Sequence, residues 1–393
     1  METEMKMEQQ TKRIHLVDSM RGFSLLGILL ANMLIFQYGL FGTDKLNLFP
    51  AVAGNSIFYE VTVILIEGSF MPIFAFLFGY SLLKLKEGLV AQGRKPGWAL
   101  SRRFLLLMSL GTLHSVYIWE GDILIYYGGL GFLLLLFLNR KPKTLLVWAI
   151  VLMSLMGLLG FISDSPSDPS IIEMDKETLT YVQETVTLYP EGTYSEIKHH
   201  RNTESPIKED PVFLIALLLL APLISLPMFL LGIYAAKKSW FQNPDMESPM
   251  YAKGALIFIT LGIGLKLLKF VFPGMVLSGG PVLSIGYIMA FALIYSKLMS
   301  PTWRSRFAAV GKLSLTNYLM QSVICTTIFY GYGLGWFGKI GVSAGILLAV
   351  LIYSVQLFAS SWYVSHFRIG PVERLLRMGT YFTLSGKVKR RIS

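Results

Sequence analysis

Residues 16–33 read LVDSMRGFSLLGILLANM, an apolar run that carries Asp18 and Arg21 in its first turn and Asn32 three turns later. A helix crossing about 30 Å of hydrocarbon needs about 17 to 25 such residues. Runs of this length recur along almost the whole 393-residue chain, which is 53% hydrophobic and 15% charged, against about 25% charged for a soluble domain. The pattern predicts an all-α polytopic membrane protein and excludes a single soluble core. The first run lies too far into the chain for a secretory leader, is about twenty residues long and has no small-x-small cleavage site, so it is expected to stay in the mature protein.

Ten spans follow from the apolar runs: 19–38, 62–83, 101–119, 121–138, 143–163, 211–236, 252–270, 277–298, 311–331 and 341–364. Glu60, Glu67 and Pro72 interrupt the second, which is expected to be either continuous or broken. Alternate connections are basic: Lys12 and Arg13; Lys84 to Arg103; Arg140 to Lys143; Lys237 and Lys238; Arg304 and Arg306; and the tail from Arg368 to Arg391. By the positive-inside rule both termini are cytoplasmic, as an even number of spans requires. The loop at 164–210 holds eleven acids against four basic residues and falls outside. Within it, 171–188 can form an amphipathic helix after a Ser/Pro/Asp-rich flank. The expected parts are a cytoplasmic segment 1–18, five-helix regions 19–163 and 211–364 around the outer loop, and a basic tail 365–393.

The net charge of +11 would suit nucleic acid if it shared a soluble face, but it sits in short connections, where it sets orientation. The bilayer, not nucleic acid, is the expected partner. Cys325 is the sole cysteine, which excludes an intramolecular disulfide and any CxxC site.

Polar residues inside the spans are the candidate site. Arg21 and Asn32 are eleven residues apart, as are Arg103 and His114, and eleven residues at 100° each return to the same helix face about 16 Å further on. If the two faces meet, a polar shaft runs through the bundle. Arg21, paired with Asp18, and Arg102 with Arg103 would place cations at its inner mouth. Snorkelling arginines and a helix-capping Asp18 are the plainer readings of the same residues. His114 alone among five histidines lies well inside a span, where ionisable groups are rare and usually functional. It suits a general base, oriented by Asp122 across a short turn, and Asn32 places a hydrogen-bonding group in the outer half. A histidine bridging two helices, Asp122 capping the next helix and Asn32 joining helices are the structural alternatives. Asn317 and Gln321 share a face at i and i+4, and with Glu67 they either line the path or serve packing and the interface. His199 and His200 are adjacent in the outer loop without a third ligand, so no metal site is expected. GYGLGWFG at 331–338 follows a helix, not a strand, and reads as a turn rather than a phosphate loop.

Four stretches carry a resemblance: DSMRGFSLLGILLANM; RRFLLLMSLGTLH with GDILIYYGGLG; GKLSLTNYLMQSVICTTIFYGYGLGWFG; and FRIGPVERLLRMGTYF. In these the chain resembles the YeiB-like bacterial membrane proteins, the domain of unknown function 418 family. That family is similar to the wider transmembrane acyltransferases, which include the heparan-α-glucosaminide N-acetyltransferases. The resemblance implies a bacterial cytoplasmic-membrane protein that moves an acyl group from cytoplasmic acyl-CoA to a cell-envelope or lipid acceptor, with no metal. On that implication Arg21 and Arg103, with Asp18 and Arg102, would hold the donor's phosphates, and Asn32 would donate to the developing oxyanion. One departure stands out. Those acetyltransferases carry their histidine in the loop after the first span, whereas residues 39–61 contain none here, so His114 would have to substitute from another helix. The rival classes are a transporter of a small solute with His114 as proton relay, favoured by broken helices in paired repeats, and a non-catalytic scaffold.

Overall fold

The computed structural model describes residues 14–49, 51, 56–159, 169–206, 211–272 and 274–383. Lys12 and Arg13, the flank 164–168, Lys208 to Asp210 and the tail beyond 383 lie outside these residues. The described chain forms fifteen α-helices and no strand: α1 His15–Tyr38, α2 Ser56–Leu65, α3 Met71–Ala91, α4 Pro96–Tyr117, α5 Leu124–Leu134, α6 Pro142–Leu159, α7 Pro169–Leu188, α8 Tyr194–Thr203, α9 Pro211–Lys237, α10 Pro244–Leu267, α11 Met275–Lys297, α12 Pro301–Lys312, α13 Ser314–Phe329, α14 Val342–His366 and α15 Pro371–Tyr381.

Among the described residues, four stretches are long and apolar enough to cross a membrane: α1, α10 with its 3-10 extension to Phe270, Ser278–Lys297 of α11, and α14. α14 shows the solvent it is built for. Leu347, Leu351, Val355, Phe358 and Trp362 form an exposed apolar stripe at helical spacing, each more than half exposed, while Gln356 and Ser360 are buried on the opposite face. In water the polar face would point outward; apolar outside and polar inside is the arrangement that lipid favours.

Small residues let the central helices touch backbone to backbone. A Cβ on Gly22 of α1 would strike the carbonyl of Phe307 on α12, and one on Gly311 would strike that of Asp18. Gly79 of α3 and Gly232 of α9 make the same reciprocal approach. Contact at this range fixes α12 beside Asp18 and Arg21. The buried Tyr353 hydroxyl adds a 2.7 Å bond to the Gly22 carbonyl, tying α14 to the same turn.

The structure decides the second segment, which was open, and differs from the expected parts at two others. The second apolar run is broken, with turns at 66–70 between α2 and α3 and Gly68 at φ +64°. Lys266 of α10, 1% exposed, donates to the carbonyls of Val63, at 3.0 Å, and Glu67 at this break, so the freed backbone groups are satisfied by protein. The ninth run does not start at 311: α12 ends at Lys312 and α13 begins at Ser314. The tail is not simply a basic strand of chain, because 371–381 fold as α15 against α4. Glu373 explains its docking. Its carboxylate accepts from the backbone N–H groups of Leu315 (2.8 Å) and Thr316 (3.0 Å) and from the Thr316 hydroxyl (2.6 Å), capping α13 from another helix.

Candidate functional site

The end of the bundle where α1, α4 and α13 begin holds a cavity of about 1240 Å³, at or above the usual range of about 300–1,000 Å³ for ligand pockets. Arg21, Lys84, Arg103, Lys312, Arg368 and Arg377 line it, against two acids, Asp18 and Glu373. Both acids are committed. Asp18 accepts from Arg21 Nη1 at 3.0 Å, and Glu373 caps α13. Arg21 Nη2 also donates to Ser81 of α3 at 2.6 Å, which aims the guanidinium across the mouth. Arg103, Lys312 and Arg368 make no hydrogen bond or ion pair to another described residue. The inner wall is apolar, formed by Phe74, Phe78, Leu107, Leu124 and Tyr127. A charged mouth above an apolar floor suits an amphiphile with phosphate groups.

At the far end of α4, His114 Nδ1 lies 2.8 Å from Asp122 Oδ2, and both side chains are 1% exposed. The other carboxylate oxygen, Oδ1, accepts from the N–H groups of Leu124 (2.8 Å) and Ile125 (2.9 Å). Asp122 therefore caps α5 and orients the histidine at once, one oxygen for each task. Tyr318 of α13 holds this turn, its hydroxyl donating to Gly121 O (3.2 Å) and accepting from Ile123 N (3.3 Å). The Tyr318 ring lies 5.5 Å from the imidazole, and that of Trp119 6.4 Å. His114 Nε2 is buried and makes no hydrogen bond among the described residues. With Nδ1–H donated to Asp122, Nε2 carries the free lone pair that a base uses.

The cavity and the His114–Asp122 pair do not merge. On α4 the face from Arg103 to His114 passes through Leu107 and Gly111; Leu107 is buried and closes the cavity, and a Cβ on Gly111 would strike Asp122 Oδ1 and Ile125. On α1 the face from Arg21 to Asn32 passes through Leu25 and Ile28, both buried. The polar shaft expected from the two eleven-residue spacings is thus interrupted by side chains on the same faces. Asn32 neither lines the cavity nor bonds to His114 or Asp122.

The remaining candidates are placed as follows. Arg102 turns away from the cavity, donating to Thr380 O at 3.0 Å and lying over the Phe382 ring, so it fastens the end of α15. Asn317 and Gln321 join helices: Asn317 Nδ2 donates to Ser360 Oγ (3.0 Å) and Gln321 Nε2 to Gln356 Oε1 (2.8 Å), both on α14. Glu67 is exposed at the break between α2 and α3 and does not line the cavity. The 331–338 turn is as read, with Gly335 and Gly338 at positive φ. The 164–210 connection contains α8 as well as α7, and α8 is opened by a capping box between Thr193 and Glu196. This helix places Glu204 one turn after His200, and α7 supplies Glu184. The expectation of no third ligand beside His200 overlooked the i,i+4 pair.

Residues 235–383 match the family described as protein of unknown function (DUF418). The chain is 33% identical over 388 residues, 95% of both chains, to the uncharacterized protein YxaH of Bacillus subtilis (strain 168). It is 28% identical to the uncharacterized protein YeiB of Escherichia coli (strain K12), over 93% of this chain and 95% of that one. A 39.9 kDa protein encoded in the amylase 3′ region of Bacillus acidopullulyticus is 24% identical over 94% of each. No solved structure matches.

Proposed function

For this chain, which belongs to the DUF418 family of YeiB-like proteins, we propose acyl transfer at the membrane from a cytoplasmic acyl-CoA to a hydroxyl or amine of a cell-envelope or lipid acceptor. The reading includes ten crossings with both termini in the cytoplasm, so that the cationic cavity faces the donor. The observation that carries it is the cavity: six cations at the mouth, two acids already engaged, and an apolar inner wall. Phosphates would sit against Arg103 and Arg21, with the acyl arm pointing toward Leu107 and Leu124. His114 Nε2 then takes the acceptor's proton while the acceptor attacks the thioester carbonyl. The C–S bond breaks, and the thiolate leaves with the proton carried by His114. Asp122 holds the imidazole in the tautomer this needs. For the acyl end to reach the base, Leu107 or Leu124 turns aside.

The test is equilibrium binding of radiolabelled acyl-CoA to the detergent-purified protein. A charge-assisted hydrogen bond contributes about 1.5–3 kcal/mol, so Arg103→Ala and Arg21→Ala are each expected to weaken binding by about tenfold or more. Arg103→Ala is the cleaner variant, because Arg21 also holds Asp18 and Ser81. Unchanged affinity in both would reduce the arginines to orientation signals.

A transporter is the second reading, and one observation favours it. The broken second segment, with Lys266 on its freed carbonyls, resembles the discontinuous helices that carry solutes. Substrate-dependent flux into vesicles, lost in Lys266→Met while acyl-CoA binding is retained, would support it over the enzyme.

A further inference from the structure

We propose that Glu184 of α7 with His200 and Glu204 of α8 forms a site for one divalent ion of the zinc class, which clamps the α7–α8 cap. This site lies apart from the cationic cavity and does not depend on the acyltransferase reading. The ligand atoms all fall within 4.8 Å of one another. His200 Nε2 stands 3.5 Å from Glu184 Oε2 and 3.8 Å from Glu204 Oε2. Those separations exceed the 2.7–3.2 Å of a hydrogen bond. Ligands held at about 2.0–2.1 Å around a tetrahedral zinc stand about 3.3 Å apart, so small movements of two exposed carboxylates would complete the coordination.

The imidazole is built in rather than draped on the surface. Its side chain is 4% exposed, and neither ring nitrogen has a hydrogen-bond partner among the described residues. A buried polar group left unpaired costs about 1–3 kcal/mol, which a metal at Nε2 would relieve. Tyr181 stacks on the ring with centroids 4.4 Å apart, and Tyr189 meets it edge-on at 5.6 Å. These two aromatic rings aim Nε2 at the carboxylates. One imidazole with two carboxylates suits zinc, cobalt or manganese better than calcium, which prefers six to eight oxygens. Water completes the shell.

The position gives the ion a role. Next to His200, Arg201 donates to Ile118 O (2.9 Å) and Val116 O (3.0 Å), carbonyls at the end of α4 within about one turn of His114. Tyr194 adds a 2.8 Å bond to Tyr117 O. An ion bridging α7 to α8 therefore steadies the cap that closes over this end of α4.

The experiment uses the full chain with any affinity tag removed, stripped with chelator and titrated with Zn²⁺ by calorimetry, and with Co²⁺ by visible absorption. The expected result is one ion per chain, tetrahedral cobalt bands, and a zinc-dependent rise in melting temperature. Glu184→Gln and Glu204→Gln, at exposed positions that folding tolerates, should each weaken zinc by at least about tenfold and abolish that rise. Failure of the wild type to take up zinc overturns the site. Equal affinity in both variants overturns it too, since the ion would then be adventitious, and calcium binding as tight as zinc would overturn the class of ion assigned.

Discussion

Replacing Asp122 separates its two tasks. Asp122→Ala removes the cap on α5, a loss of about 1 kcal/mol, and leaves the buried His114 Nδ1 unpaired, about 1–3 kcal/mol more. The sum is about 2–4 kcal/mol. Asp122→Asn keeps an oxygen for the Leu124 and Ile125 N–H groups, since Asn caps helices about as well as Asp. Its amide then donates to His114 Nδ1 and forces the proton onto Nε2. Stability should fall by under about 1 kcal/mol, while the lone pair needed for catalysis is lost. The assay is built into the chain. Cys325 is the sole cysteine and is 0% exposed, so a thiol-reactive fluorogenic dye reports unfolding as the detergent-solubilised protein is heated. Nitrogen-15 chemical shifts of the imidazole report the tautomer. If Asp122→Asn melts as low as Asp122→Ala, or if the Nε2 lone pair persists in it, the division of labour between the two oxygens is refuted.

Three further outcomes are expected. Glu373→Ala, which takes the acceptor from three donors at the start of α13, should cost about 2 kcal/mol in the same assay, and Glu373→Gln should recover part of that loss. In a Cys325→Ser background, impermeant maleimide applied to intact cells should modify Ser205→Cys and spare Ser101→Cys; the reverse pattern contradicts the proposed orientation. Bonds from the Thr193 backbone N–H and hydroxyl hold the Glu196 carboxyl below its usual range. The α8 cap is therefore complete above about pH 4.3, the unfolded value, and is lost as pH falls through the depressed folded value. Hydrogen exchange at 193–203, corrected for intrinsic rates, should show this acid loosening, and Glu196→Gln should remove its pH dependence.

The all-helical fold with long apolar helices was legible because lipid demands such helices, and composition reveals those directly. What escaped was local. Glu67 and Pro72 raised the break at 66–70 without deciding it, and periodicity does not distinguish a single helix from α12 and α13 meeting at Leu313. α15 was hidden by its short length, although Glu373 and Arg377 in PVERLLRMGTY mark one helix face at i,i+4. In the candidate site, the His114–Asp122 pair was readable because both residues flank one short turn. The shaft was not, because a shared face says nothing of the residues between: Leu107 on α4, and Leu25 and Ile28 on α1, fill the path. Lys84, Lys312 and Arg368 reach the cavity only through tertiary packing. Tyr318 was likewise hidden, since its bonds to Gly121 and Ile123 span nearly 200 positions.

The most direct test of the account is turnover of acyl-CoA by wild type and His114→Gln, purified to matched melting temperature and supplied with membrane lipid and glycan extracts as acceptors. Glutamine keeps a hydrogen-bonding side chain of similar reach but takes no proton near neutrality. The account predicts acyl transfer by the wild type, unaltered acyl-CoA binding by the variant, and turnover abolished in it. A His114→Gln protein as active as wild type would contradict the assignment of His114 as the base.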